Sequence, residues 1–164
     1  MEFYKYCALL TDAIFGIDRK KELSMYKHIL FATDLAKETD YLIQKVLAMQ
    51  KLTGSKLTII HVVEPFYPYN YMMYGVEDLE RQLLIESKKE LQKIAKNMNI
   101  DPSNQIIEIG STKTIILEKA KELGIDLIMC GNHGKHGLAR LLGSTANAIL
   151  SRAECDVLMI PFPN

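Results

Sequence analysis

The chain has 164 residues, 48% of them hydrophobic, which suits one domain whose core needs no disulfide or metal staple. Its 20 basic and 20 acidic residues cancel, so no overall field draws it to nucleic acid or an anionic membrane, and any phosphate binding has to be local. Cys7, Cys130 and Cys155 are far apart, form no CxxC and leave one thiol over in any pairing scheme, which argues for a reducing compartment and against a zinc site. No eighteen apolar residues run together, and MEFYKYCALLTDAIFGIDRKKELS lacks a signal-peptide pattern, so the expectation is a cytoplasmic protein without a membrane partner.

Residues 1–24 stand outside the rhythm of the remaining chain, which begins afresh at MYKHILFATDL. Two readings stay open for them: an upstream start or appended segment that is loosely ordered, or a short helix that docks through Leu9, Leu10, Ile14, Phe15 and Ile17. From residue 25 to 164 the chain reads as one domain. Short β-branched runs alternate with helical patterns, the signature of βαβ units and a parallel sheet. The first strand is expected over His28–Thr33. A helix comes next, with Leu42, Val46 and Met49 on one face, and stops at Gly54. The second strand, Lys56–Val63, is a nearly continuous apolar run, as a strand covered on both faces should be. Glu64–Gly75, with four tyrosines and two prolines, is too aromatic for an idle linker and reads as a segment that either closes over a ligand or covers a dimer partner, the partner being favoured.

An amphipathic helix is expected from Val76 to about Met98, burying Leu79, Leu83, Leu91, Ile94 and Met98. Gln105–Ile109 is the third strand, and Ser111 or Thr112 caps a helix that runs to Gly124. Asp126–Cys130, Leu142–Arg152 and Asp156–Ile160 are the fourth strand, fourth helix and fifth strand. Right-handed crossovers then give an open α/β sheet with helices on both faces. Ligands of such sheets sit beyond the carboxyl ends of the strands where strand order reverses, which directs attention to Ala32-Thr33-Asp34 and Cys130-Gly131.

After the fourth strand comes GNHGKHGLARLLGSTANAIL, in which Gly131, Gly134, Gly137 and Gly143 punctuate a loop leading to a helix start. Glycine lets a backbone approach a ligand closely, and a helix N-terminus offers unpaired N–H groups to an anion, here those of Gly143, Ser144 and Thr145. Between Gly131 and Ala153 there is no acidic residue, while Lys135, Arg140 and Arg152 are cationic. Equally, glycines of this kind serve any tight strand-to-helix connection. The stretch is neither GxxxxGK[ST] nor GxGxxG. His61 reads as a satisfied interior histidine rather than a ligand, and Cys130 as a small apolar side chain. Asp34 has no second carboxylate near it in sequence, and Ser144 has no His–Asp partner, so no catalytic or metal-binding residue is assigned.

The segments MYKHILFATDL, LTIIHVVEP, IIEIGSTKTIILEKAKELGIDLIMCGNHG and CDVLMIP, with Gly143-Ser144 opening a helix, together resemble the universal stress protein family from Met25 to Pro161. The resemblance implies a Rossmann-like, adenine nucleotide alpha hydrolase-like sheet of order 3-2-1-4-5 in a cytoplasmic stress-response protein. It also implies a homodimer whose last strand, Asp156 to Ile160, pairs with its mate, and further protein partners that the sequence does not name. For members that bind ATP or another adenine nucleotide with Mg, it implies that Asp34, after Ala32 and Thr33, contacts the adenosine end and that Val62 faces the adenine with Cys130 lining its pocket. Gly131 and Gly134 would cradle the phosphates, with Gly143, Ser144 and Thr145 at the distal ones. His133 is a cofactor-binding candidate only by its place inside the glycine loop, where a histidine is more often simply solvated. The sequence departs from the ATP-binding pattern twice: Lys135 to Leu142 is eight residues where the pattern has nine, and no proline precedes Asp34. A nucleotide-free dimeric interaction module is therefore the alternative, and a slow ATPase a third.

Overall fold

The five strands form one parallel sheet of order β3-β2-β1-β4-β5 in the computed structural model, which describes residues 25–36, 39–65, 76–132 and 143–162. The expectations for residues 1–24, for most of the tyrosine-rich loop and for His133 and Gly134 lie outside the described residues.

Strand β1, His28–Ala32, is buried along its whole length because it is the central strand, paired to β2 (Lys56–Val63) on one side and β4 (Leu127–Asn132) on the other. The sheet's alternation of side chains feeds two cores. Ile29, Phe31, Leu57, Ile59, Leu127 and Met129 point to the face covered by helices α1 (Thr39–Thr53) and α2 (Val76–Asn97). Leu30, Ala32, Ile60, Val62, Ile128 and Cys130 point to the other face, beneath α3 (Thr112–Glu122) and α4 (Ser144–Arg152). Strand β3 (Gln105–Ile109) closes one edge, and β5 (Asp156–Pro161), which buries only Ile160, forms the other.

Helix ends obey their sequence signals. Gly54 at φ +69° and Gly124 at φ +60° adopt the left-handed conformation that terminates α1 and α3. Asn99, at φ 52°, does the same after α2, where the Ile100 N–H reaches the Ala95 carbonyl at 2.8 Å. Four boundaries differ from expectation in the β4–β5 half of the fold: both ends of β4, the end of β5 at Pro161 and the start of α4. β4 continues through Gly131 and Asn132 because β5 runs alongside it as far as Pro161. Asp126 is not in the strand; its carboxylate accepts the N–H groups of Lys27 (2.8 Å) and His28 (3.0 Å) instead. Helix α4 begins at Ser144, with Gly143 as its N-cap.

Two further expectations are corrected. Leu79 and Leu83 are exposed, at 52% and 37%, while Leu91, Ile94 and Met98 are buried. The cause is length: α2's 22 residues extend about 33 Å, against roughly 17 Å for the five-residue β3, so its first turns overhang the sheet. Neither Ser111 nor Thr112 supplies the side-chain cap of α3. Ser111 occupies the N-cap position without a capping bond, and the Glu64 carboxylate, just past β2, accepts the Thr112 N–H at 3.1 Å. No described helix is long and apolar enough to cross a membrane.

Candidate functional site

β1 and β4 are neighbours, yet the chain leaves β1 toward the α1 face and enters α4 on the opposite face after β4. The diverging connections open a crevice at the carboxyl ends of the strands, the position expected for a ligand on an open α/β sheet. A cavity of about 350 Å³ occupies it. That is within the size range of small-molecule sites.

The cavity's apolar wall is the α3/α4 side of the sheet, where Ile60, Val62 and Cys130 meet Ile116 and Ile149. Cys130 is 7% exposed, and burial pushes its thiol up to about 11. Its Sγ–H points to the Met159 sulfur at 3.1 Å, so it behaves as an inert wall rather than a nucleophile.

At the exit of β1 the backbone is held by a cluster of short bonds. The Thr33 N–H donates to the Ile60 carbonyl at 3.0 Å, and Thr33 Oγ1 accepts the Leu35 N–H at 3.1 Å. The same hydroxyl lies 3.2 Å from Thr39 Oγ1 at the start of α1. Asp34 Oδ1 accepts the Ala36 N–H at 3.1 Å, closing a local turn that leaves Leu35 at φ 60°.

Across the crevice, α4 presents its N-terminus. Gly143 caps it with no side-chain bond, and the amides of Ser144, Thr145 and Ala146 have no partner among the described residues. A Cβ added to Gly143 would meet nothing within 4 Å. Gly131 is different. A Cβ there would lie 2.7 Å from Phe162 Cζ and 2.9 Å from Leu42 Cδ1. A larger residue here needs the Phe162 ring and the Leu42 methyl to shift, so packing favours glycine irrespective of any ligand. Beside it, Asn132 Oδ1 is buried with no hydrogen-bond partner among the described residues.

Of the residues singled out in the sequence, Ala32, Thr33, Asp34, Val62, Cys130, Gly131, Gly143, Ser144 and Thr145 all line this one cavity. Arg152 does not join them. It sits in the last turn of α4 and borders a separate groove with Lys121, Glu154 and Cys155. Eight residue steps of helix separate it from Ser144, or about 12 Å. The cavity also recruits His61, Thr112, Ile116 and Asn132. Thr112 and Ile116 were hidden from sequence reasoning because α3 reaches the site only through the pairing of β2 with β3. His61 is half-buried and satisfied, as its strand context suggests, its Nδ1 lying 2.9 Å from the Thr33 carbonyl.

Residues 25–161 match the model of the universal stress protein family. The chain belongs to the universal stress protein family. Universal stress protein A homolog 2 of Coxiella burnetii is 43% identical over 139 residues, spanning 82% of this chain and 94% of its own length. Among solved structures, the hypothetical protein MJ0577 superposes with a TM-score of 0.69 at 25% identity, over 85% of this chain and 99% of its own. A universal stress protein solved in complex with cAMP shares the fold at a TM-score of 0.53 and 22% identity, over 83% and 97% of the two chains.

Proposed function

We propose that this universal stress protein binds an adenine nucleotide in the crevice between the ends of β1 and β4. The observation that carries the reading is one cavity joining an apolar wall to a helix N-terminus without a side-chain cap. The base would lie against Ile60, Val62, Ile116 and Cys130, which offer a flat apolar face and no charge. The Ser144, Thr145 and Ala146 amides suit phosphate oxygens, since helix N-terminal N–H groups and the helix dipole both favour an anion. Asp34 is assigned the ribose hydroxyls. The orphaned Asn132 Oδ1 supports a polar ligand, because a buried acceptor without a partner costs about 1–3 kcal/mol and a hydroxyl donor relieves it. The relative solved with cAMP supports an adenine ring in this fold.

The role proposed is binding without catalysis: a ligand-responsive module of the stress response, acting in the cytoplasm through other proteins. As a homodimer it would use the outer edge of β5, which among the described residues pairs only with β4 and exposes Leu158 at 37%. One observation favours the nucleotide-free reading instead. Gly131 has a packing reason in Phe162 and Leu42 that needs no ligand, and the glycine spacing through Lys135–Leu142 is eight residues.

The two readings part in one experiment. Freshly purified protein is denatured and the supernatant assayed for adenine nucleotide, and the folded protein is titrated calorimetrically with MgATP, ATP and cAMP. Released nucleotide or saturable heat supports the proposal. No release and no heat at millimolar ligand would sink it and leave the nucleotide-free module.

A further inference from the structure

His61 interrupts the apolar run of β2 at the point where that strand passes the exit of β1. A carbonyl oxygen can only accept, so the 2.9 Å approach of His61 Nδ1 to the Thr33 carbonyl places the proton on Nδ1 and fixes the ring's tautomer. With this bond the N–H, the hydroxyl and the carbonyl of Thr33 are all engaged, by Ile60, by Leu35 and Thr39, and by His61.

The Thr33 carbonyl belongs to the peptide unit that carries the Asp34 nitrogen and Cα. Because that unit is planar, a bond that fixes the direction of the carbonyl fixes the plane from which the Asp34 side chain departs. The next residue, Leu35, sits at φ 60°, a conformation that L-residues hold only where their surroundings over-determine it. Without the His61 bond, the Thr33–Asp34 plane loses the one bond to its carbonyl, and the turn closed by the Ala36 N–H to Asp34 Oδ1 bond is held less firmly.

We infer that His61 is a positioning residue: its Nδ1–H clamps the Thr33–Asp34 peptide and so sets the direction of the Asp34 carboxylate at the ligand cavity. The consequence for affinity rests on the proposed nucleotide binding, whereas the clamp itself does not. If His61 merely filled space, an apolar residue of similar size would serve equally.

Three variants separate these cases. In His61→Asn the side-chain amide places an N–H donor near the Nδ1 position, in His61→Gln the donor falls one bond further out, and His61→Leu has none. Two quantities are read: the calorimetric Kd for MgATP, and hydrogen exchange at the Leu35 and Ala36 amides by NMR without ligand. The expected result is that His61→Asn binds within about threefold of the parent, while His61→Gln and His61→Leu lose about tenfold, the scale of one hydrogen bond. Leu35 and Ala36 should exchange faster in the latter two, with α1 and β2 amides unchanged. Parental exchange at both amides in His61→Gln and His61→Leu overturns the clamp. If the parent binds no adenine nucleotide, the nucleotide reading fails by itself and the exchange data alone decide His61. Should His61→Leu not fold, the comparison of Asn with Gln makes the same test.

Discussion

Phe162 occupies the space that a side chain at Gly131 would need: a Cβ would stand 2.7 Å from its ring. The residue just past β5 therefore crowds this position in β4, and the first glycine of the loop motif is favoured by packing at the sheet's edge. Gly131→Ala should destabilise the fold by about 1–3 kcal/mol through overpacking, visible in thermal or urea unfolding. Adding Phe162→Leu should return part of that loss. Gly143→Val, where the space is open, should weaken ligand binding more than folding; equal losses in both would show that Gly143 is structural.

The carboxylate of Asp126 ties down the start of β1 by accepting the N–H groups of Lys27 and His28. Bonds to a charged acceptor are the stronger kind, so Asp126→Ala should cost about 2 kcal/mol, or a fall in Tm of roughly 4–8 °C. The Asn variant should not rescue it, because half of its amide presents a donor to a donor. An Asn variant with parental Tm would mean that the charge and geometry at Asp126 contribute little.

His28 is buried beside β2, its Nδ1 donating to the Leu123 carbonyl (3.3 Å) and its Nε2 accepting the Thr58 hydroxyl (2.8 Å). Burial, then the nearby Lys56 ammonium, lowers its pKa below 6.5. The folded state thus binds a proton less readily than the unfolded chain. The contribution is complete above pH 6.5 and declines as pH falls from there toward the folded-state value. Urea midpoints measured between about pH 8 and 5 should fall more steeply for the parent than for His28→Gln. Parallel curves would remove His28 from the acid response.

Burial holds the Cys130 thiol at about 11 against an ordinary value of 9.0. At about pH 8 the thiolate fraction is then about a hundredfold smaller than for a free cysteine, and alkylation should slow at least in proportion. Peptide-resolved iodoacetamide labelling of folded and urea-unfolded protein measures this directly. Labelling of Cys130 at the unfolded rate would show that the wall opens.

Leu158→Lys places a charge on the exposed outer side of β5, where it is 37% accessible. If the protein is a dimer through this edge, sedimentation should show the variant as a monomer with an unchanged Tm for the domain. A parental sedimentation profile would move the interface elsewhere.

What the sequence determined alone is the local order of the fold. The apolar run KLTIIHVV read as a strand covered on both faces, and Gly54 and Gly124 stopped their helices where positive φ was needed. The strand-end rule pointed to Ala32, Thr33, Asp34, Cys130 and Gly131, the helix start to Gly143, Ser144 and Thr145, and the family resemblance to Val62; all nine line one cavity. Tertiary structure decided everything that depends on which element lies beside which. It left Leu79 and Leu83 exposed because α2 outruns β3, and set Arg152 at the far end of α4 from the crevice. It capped α3 with Glu64 and set the Phe162 ring against Gly131. Periodicity is a property of neighbours along the chain, so sequence carries it. A cap from 48 residues away or a ring filling a glycine's space is a property of strand pairing and helix length, and exists only once the sheet has closed.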